Sequence, residues 1–208
     1  ARDVGFDRSL IGSYGHDDRV CAYPSITALI ESLDSKHSIM CILADKEEIG
    51  SEGNTGMRSR LLLDMIEDMA ATDGVSGAAV RAHSFCLSAD VAAAYDPNFS
   101  EVYEKNNASM LSCGATLTKF TGARGKSGSS DASAEFVGYI RRIFDEAGVP
   151  WQTSELGKVD QGGGGTVAAY MANRNIVTVD AGVPVLSMHA PLELVSKLDC
   201  YMTMLACK

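Results

Sequence analysis

The period of the apolar positions changes several times along the chain, and each change marks an element. "RVCAYPSITALIESL" (19–33) has apolar residues at helical spacing. "HSIMCILA" (37–44) is a short continuous apolar run, the pattern of a buried strand, and it leads into the charged turn "DKEEIG" (45–50). "SRLLLDMIEDMAA" (59–71) places Leu61, Leu62, Met65, Ile66 and Met69 on one helical face. "AHSFCLSAD" (82–90) and "SMLSCGATLTKFT" (109–121) read as strands. "SDASAEFVGYIRRIFDEAG" (130–148) predicts a helix capped by Ser130 or Asp131 and ended by Gly148 ahead of Pro150. "PWQTSELG" reads as extended, "GGTVAAYMANRN" as a helix, "IVTVDAG" as a short strand and "LELVSKLDCYMTMLAC" (192–207) as a closing helix. The polar stretch 96–107 and the Gly/Ser-rich stretch 121–130 read as surface loops.

Strands alternating with helices predict an α/β layered fold with a mostly parallel central sheet. In such a sheet functional groups gather at the carboxyl ends of strands. The acidic residues fall at just those places. Asp17 and Asp18 precede the first helix, Glu47 and Glu48 follow "SIMCILADK", Asp90 follows "AHSFCLSA", Asp180 follows "NIVTV", and His189 follows "VPVLSM". Carboxylates brought together without a cation repel one another and turn neutral. With two divalent ions the same cluster is neutralised, and it can then activate water and polarise a carbonyl. Oxygen and imidazole donors suit zinc, and also cobalt or manganese. Each motif also has a plainer explanation. Asp-Asp before a helix is a common N-cap arrangement, Glu-Glu after a strand is a common solvated turn, and Asp90 could cap the segment after it. Only their joint occurrence in an α/β chain favours metal.

Composition narrows the partners. The 208 residues carry a net charge of −9, which argues against nucleic acid or an anionic membrane as partner. No apolar run approaches the roughly 20 residues that span a bilayer. The six cysteines form no C-x-x-C pair and mostly lie in apolar stretches, so buried free thiols in a reducing, cytoplasmic setting are expected. "GARGKSG" (122–128) looks like a phosphate loop, but Phe120 stands where the Walker pattern needs its first glycine. In "DQGGGGTVAAY" (160–170), Gly163 and Gly164 precede a helix, where backbone N–H groups could approach a substrate carboxylate or main chain. A structural turn is the competing reading.

"GHDDRVCAY", "DKEEIGSEGNTGMRS", "LSADVAAAYDPNF", "TKFTGARGKSGSSDAS" and "VDAGVPVLSMHAPLEL", in that order, resemble the aspartyl aminopeptidase family of dinuclear zinc exopeptidases, in its prokaryotic form. The resemblance implies a three-layer α/β/α zinc-exopeptidase fold. It implies that Asp17 bridges two metals and that the peptide bond after it is often cis. It implies that Glu48 and His189 hold one metal, that Asp90 holds the other, and that Glu47 is the general base. The two glutamates can divide the work, because neighbours on an extended chain point to opposite faces. Lys119 resembles a position near the substrate side chain, where a cation would favour an acidic residue; a solvated lysine at a strand end is the alternative. Asp18, Asp160 and Asp180 resemble supporting positions next to the site. The expected activity is hydrolysis of the N-terminal residue of a peptide, in a large homo-oligomer.

Two departures qualify this. The family carries a first histidine ligand in a His-x-Asp motif upstream of the Asp-Asp pair, together with an inserted dimerisation domain. His16, His37, His83 and His189 are the histidines of this chain, and none lies in that motif. The chain is therefore expected to be the C-terminal portion of one catalytic domain (1–208), with the upstream segment missing. After Ser-Ala-Asp, Ala93 and Asp96 stand where eukaryotic relatives commonly have histidines, which favours general aminopeptidase activity over strict acidic preference. A non-catalytic fragment or scaffold of the same fold, or a deacylase or carboxypeptidase of the same zinc clan, are the alternatives.

Overall fold

Buried β-branched and apolar runs become strands, and stripes at helical spacing become helices laid on them. The computed structural model describes residues 1–124, 127–158 and 160–208. In chain order the elements are β1 (Arg2–Val4), β2 (Leu10–Ser13), α1 (His16–Glu31), α2 (Leu61–Thr72), α3 (Gly77–Ala82), β3 (Phe85–Ser88), β4 (Ala92–Ala93), β5 (Ala115–Thr118) and β6 (Phe120–Ala123). There follow β7 (Ser127–Asp131), α4 (Ala134–Glu146), β8 (Trp151–Thr153), β9 (Gly163–Gly164), α5 (Ala168–Ala172), β10 (Val177–Gly182), β11 (Pro184–Leu186), β12 (Glu193–Ser196) and α6 (Lys197–Cys207).

A four-stranded sheet runs β3-β10-β5-β8. Two of its three pairings are parallel, β3 with β10 and β5 with β8, while β10 and β5 are antiparallel. Phe136, Ile140 and Phe144 of α4 recur every fourth residue and pack with Leu117, Val179 and Ala181 of this sheet; Met202, Leu205 and Ala206 of α6 join the same core. Burying such side chains contributes roughly 1.5–3 kcal/mol each. A second sheet, β1-β2-β12-β11-β4, packs Val183, Val185 and Val195 against Cys21 of α1. A third, β7-β6-β9, is antiparallel. The α/β class is as expected, but parallel pairing dominates only the four-stranded sheet.

Several local expectations change. Residues 38–44 form no strand, and Ile39, Met40, Ile42 and Leu43 are exposed. A strand exists only where another backbone completes its ladder, and none of the described residues does so here. Across the adjoining groove, β3 is itself an edge strand. The apolar face of α2 is likewise open: Leu62 is buried, while Leu61, Met65 and Met69 are exposed. The stretch expected as one closing helix divides into β12 and α6, because Glu193–Ser196 pairs with both β2 and β11. Ser130 and Asp131 belong to β7 rather than capping α4; Ser133 is the cap, its hydroxyl accepting from the Phe136 N–H at 3.2 Å. The Gly/Ser-rich stretch 121–130, expected as a loop, is instead mostly strand, its residues 121–123 in β6 and 127–130 in β7, and Gly125 and Lys126 of "GARGKSG" lie outside the described residues. The cysteines are free thiols, yet only Cys21 is fully buried and Cys113 is exposed.

Ser133→Ala removes the one side-chain acceptor at the α4 entrance. It should lower stability by about 1 kcal/mol in urea unfolding, with an unchanged denaturant slope.

Candidate metal centre

Four separate segments carry the candidate donors to one place. Asp17 and Asp18 lie at the start of α1, but neither is helical: Asp17 has ψ 104° and Asp18 has φ −122°. The peptide bond between them is cis, as the family resemblance implies. Glu47 and Glu48 open a short 3-10 turn, Glu47–Ile49, set between left-handed Lys46 (φ 63°) and Gly50 (φ 86°). The two glutamates therefore sit in a turn, not on an extended strand. Asp90 follows β3. Gly182 at the end of β10 passes so close that a Cβ there would lie 1.8 Å from the Asp90 carbonyl oxygen, so only glycine permits this approach. His189 sits between β11 and β12 with φ 65°.

His189 Nε2 lies 2.8 Å from Asp17 Oδ2 and 3.1 Å from Glu48 Oε2. Asp17, Asp18 and Asp90 each offer a carboxylate oxygen within 4.8 Å of the others, as do the donor atoms of Asp17, Glu48 and His189. Two donor groups thus share Asp17. An open groove of about 970 Å³ adjoins them, lined by Glu47, Asp90 and the exposed Ile39, Met40 and Leu43 among others.

The electrostatics of the cluster are strained in one direction. Burial, then the Glu48 carboxylate, push Asp17 up to about 7, with His189 partly offsetting them. Burial, with the charges of Asp17 and Glu47, pushes Asp18 up to about 8, although hydrogen bonds from Cys21 and Val91 act the other way. Asp90 is driven well above the carboxylate range by burial and then by Asp18, Asp180, Asp17 and Glu47. Glu47 is raised by burial and by Glu48. Among the described residues no lysine or arginine lies within ion-pair distance of Asp17, Asp18 or Asp90, and the buried Asp18 Oδ1 has no hydrogen-bond partner. Positive charge is the missing component. Oxygen donors in both groups, and an imidazole in one, fit divalent zinc.

Comparison with known proteins agrees. Residues 1–208 match the family of aminopeptidase I zinc metalloproteases, M18. The chain belongs to the M18 family. This M18 chain is 47% identical over 207 residues to a probable M18 family aminopeptidase 1 of Clostridium acetobutylicum, covering 98% of this chain and 44% of that protein. It is 45% identical over 210 residues to the Thermotoga maritima counterpart, covering 99% of this chain and 46% of that one. The crystal structure of the Clostridium aminopeptidase I superposes with a TM-score of 0.93 over 100% of this chain and 45% of its own. The Thermotoga M18 aminopeptidase structure does so at 0.94, over 99% and 47%. The M18 chain thus spans about half the length of the relatives it matches.

The other expected residues of this M18 chain fare differently. Asp18, expected in a supporting role, also brings a carboxylate oxygen within 4.8 Å of those of Asp17 and Asp90. Lys119 forms an exposed ion pair with Asp131 and belongs to neither donor group. Gly163 and Gly164 form β9 and pair with Gly122 and Ala123 of β6, which makes them part of a ladder and not an open helix entrance. Asp160 is exposed on a turn with φ 65° and belongs to neither donor group. His16, buried, has Nε2 on the Ile11 carbonyl at 3.2 Å and is structural. Asp180 is buried on β10 between β3 and β5, and its Oδ1 is without a hydrogen bond. Glu193 was absent from the expectations. Its signal was faint: one acid between Leu192 and Leu194, four residues after His189.

Burial pushes Asp180 from 3.8 up to about 6, with Ser88 and Thr166 hydroxyls partly countering it. Below pH 4 both folded and unfolded states hold the proton. Between pH 4 and 6 only the folded state keeps it, so the contribution of Asp180 to folding stability should fall by roughly 3 kcal/mol as pH rises through that window. Asp180→Asn cannot ionise. Its stability relative to the unaltered protein should rise by that amount from pH 4 to 7, read by urea unfolding in chelator.

Proposed function

We propose that the whole protein is a metal-dependent aminopeptidase that removes the N-terminal residue of peptides with the help of two divalent ions, zinc foremost and cobalt or manganese as substitutes. The observation that carries this is the pair of donor groups sharing Asp17, within a chain of the M18 family. In this reading Asp17, Glu48 and His189 would hold one ion, and Asp17 and Asp90, with Asp18 beside them, would hold the other. When bound, the ions supply Lewis acidity that polarises a carbonyl and lowers the pKa of water.

Glu47 does the proton work. It is half-buried, in the field of Glu48 and His189, and its raised pKa makes it a better base than a solvated glutamate. It takes a proton from the attacking water and hands it to the leaving amine. The free α-amine of the substrate meets an acidic surround in Asp17, Glu47 and Glu48. The 970 Å³ groove beside them has room for a peptide end. Lys119, the cation expected to favour an acidic side chain, is paired with Asp131, and general aminopeptidase activity is the better reading.

The same proposal covers the organisation of the protein. These 208 residues are the C-terminal portion of one catalytic domain, and an upstream segment carries a His-x-Asp motif and the dimerisation domain of a cytoplasmic homo-oligomer. Three observations support it. Relatives are about twice as long, the Asp17–Asp18–Asp90 group lacks an imidazole, and the apolar run at 37–44 has no ladder partner among the described residues. No helix among the described residues is long and apolar enough to cross a membrane.

The test uses the full-length protein with zinc analysis and aminoacyl p-nitroanilides. Glu47→Gln should keep both ions and lose roughly 10²–10⁴-fold in kcat. Glu48→Gln should instead bind zinc more weakly. A metal-free full-length protein, or one indifferent to Glu47→Gln, sinks the enzyme reading in favour of a scaffold. Equal turnover of N-acetylated substrates would point to a deacylase.

A further inference from the structure

Glu193 is 1% exposed, one of the largest fully buried side chains in the protein. A carboxylate so withdrawn from water needs strong hydrogen-bond donors. It finds them on two different loops. Oε2 accepts from the Asp17 N–H at 3.1 Å, and Oε1 accepts from the His189 N–H at 2.8 Å. These are the two residues whose side chains meet at 2.8 Å in the candidate metal centre.

Both backbones are irregular where Glu193 holds them. Asp17 breaks the start of α1 with ψ 104°, and His189 sits in the left-handed region at φ 65°. A non-glycine residue persists there only when its surroundings over-determine it. The strand register supplies that constraint. Glu193 opens β12 opposite Ser13 of β2, the strand that leads into α1, and β12 pairs on its other side with β11, the strand that leads to His189. One side chain therefore stands between the two loops by topology.

We infer that Glu193 is a positioning residue that clamps the Asp17 and His189 loops together, so that their side chains present a preformed pair of metal donors. This rests on the two-metal reading above.

The test compares two buried clamps in the full-length protein. Glu193→Gln replaces one accepting oxygen with an NH₂ group that cannot accept, so one of the two amides loses its partner. Asp199→Asn is the control. Asp199 is 0% exposed and likewise accepts from two backbone amides, Ser112 and Gly114, each at 2.7 Å, but belongs to neither donor group. Zinc affinity is read by competition with a chromogenic chelator, geometry by the cobalt(II) absorption spectrum at saturating metal, and catalysis as kcat and KM separately.

Glu193→Gln should bind zinc roughly 10–100-fold more weakly, shift the cobalt spectrum and lower kcat more than it changes KM. Asp199→Asn should keep the unaltered affinity and spectrum even where its melting temperature falls as far. Unaltered zinc affinity and cobalt spectrum in Glu193→Gln overturn the inference while leaving the two-metal reading intact. Equal losses in Asp199→Asn overturn it too, since the effect would then be structural. If Glu193→Gln does not fold, Glu193→Asp, which keeps the charge but is too short to reach both amides, is judged by the same criteria. Failure of both to fold beside a folded Asp199→Asn makes Glu193 a fold determinant and ends the positioning claim. Unaltered protein that takes up no metal overturns the two-metal reading itself.

Discussion

Asp17, Asp18 and Asp90 bring carboxylate oxygens within 4.8 Å of one another in a partly buried setting, with Glu47 and Glu48 close by. Like charges at such spacing raise each other's pKa, and burial adds to it. The fold has placed its acids where they are least comfortable, and no lysine or arginine among the described residues comes to their relief. Divalent cations, as proposed above, would relieve the strain and give a reason for so many separate segments to converge on one point. The M18 match, covering residues 1–208, agrees with that physics.

The convergence depends on irregular backbone supported by regular sheets. Asp17, Lys46 and His189 all depart from standard helix or strand conformations. Asp17 and His189 each lie next to a strand whose own pairing is ordinary, β2 and β11 respectively. Gly182 permits the close pass of β10 over the Asp90 carbonyl, and Glu193 ties the two loops that carry Asp17 and His189. The ladder β2-β12-β11 flanks the Asp17 and His189 positions, and β3-β10-β5 leads to Asp90.

Much of this was legible in the residues. α1, α2, β3, β8 and β10 follow their hydrophobic periods, and four of the five acids and histidines assigned as ligands or base meet in one donor group or the other, with Glu47 in their field. The misses share a cause. "HSIMCILA" has a strand's composition but lacks a ladder partner. "LELVS" has a helix's composition but is drawn into β12 by β2 and β11. Local pattern measures the preference of a segment; pairing decides its conformation.

Sequence by itself determined the α/β class, the positions of the acids and His189 at element ends, and the family, because these follow from local periodicity and ordered short motifs. Only the tertiary structure decided that Asp18 approaches Asp17 and Asp90, that Lys119 pairs with Asp131, that Gly163 and Gly164 belong to a ladder, and that Glu193 bridges two loops. Those facts are contacts between residues far apart in the chain. A single-residue pattern carries no record of which distant group a carboxylate or an ammonium will meet, and that meeting sets its charge, its partners and its role.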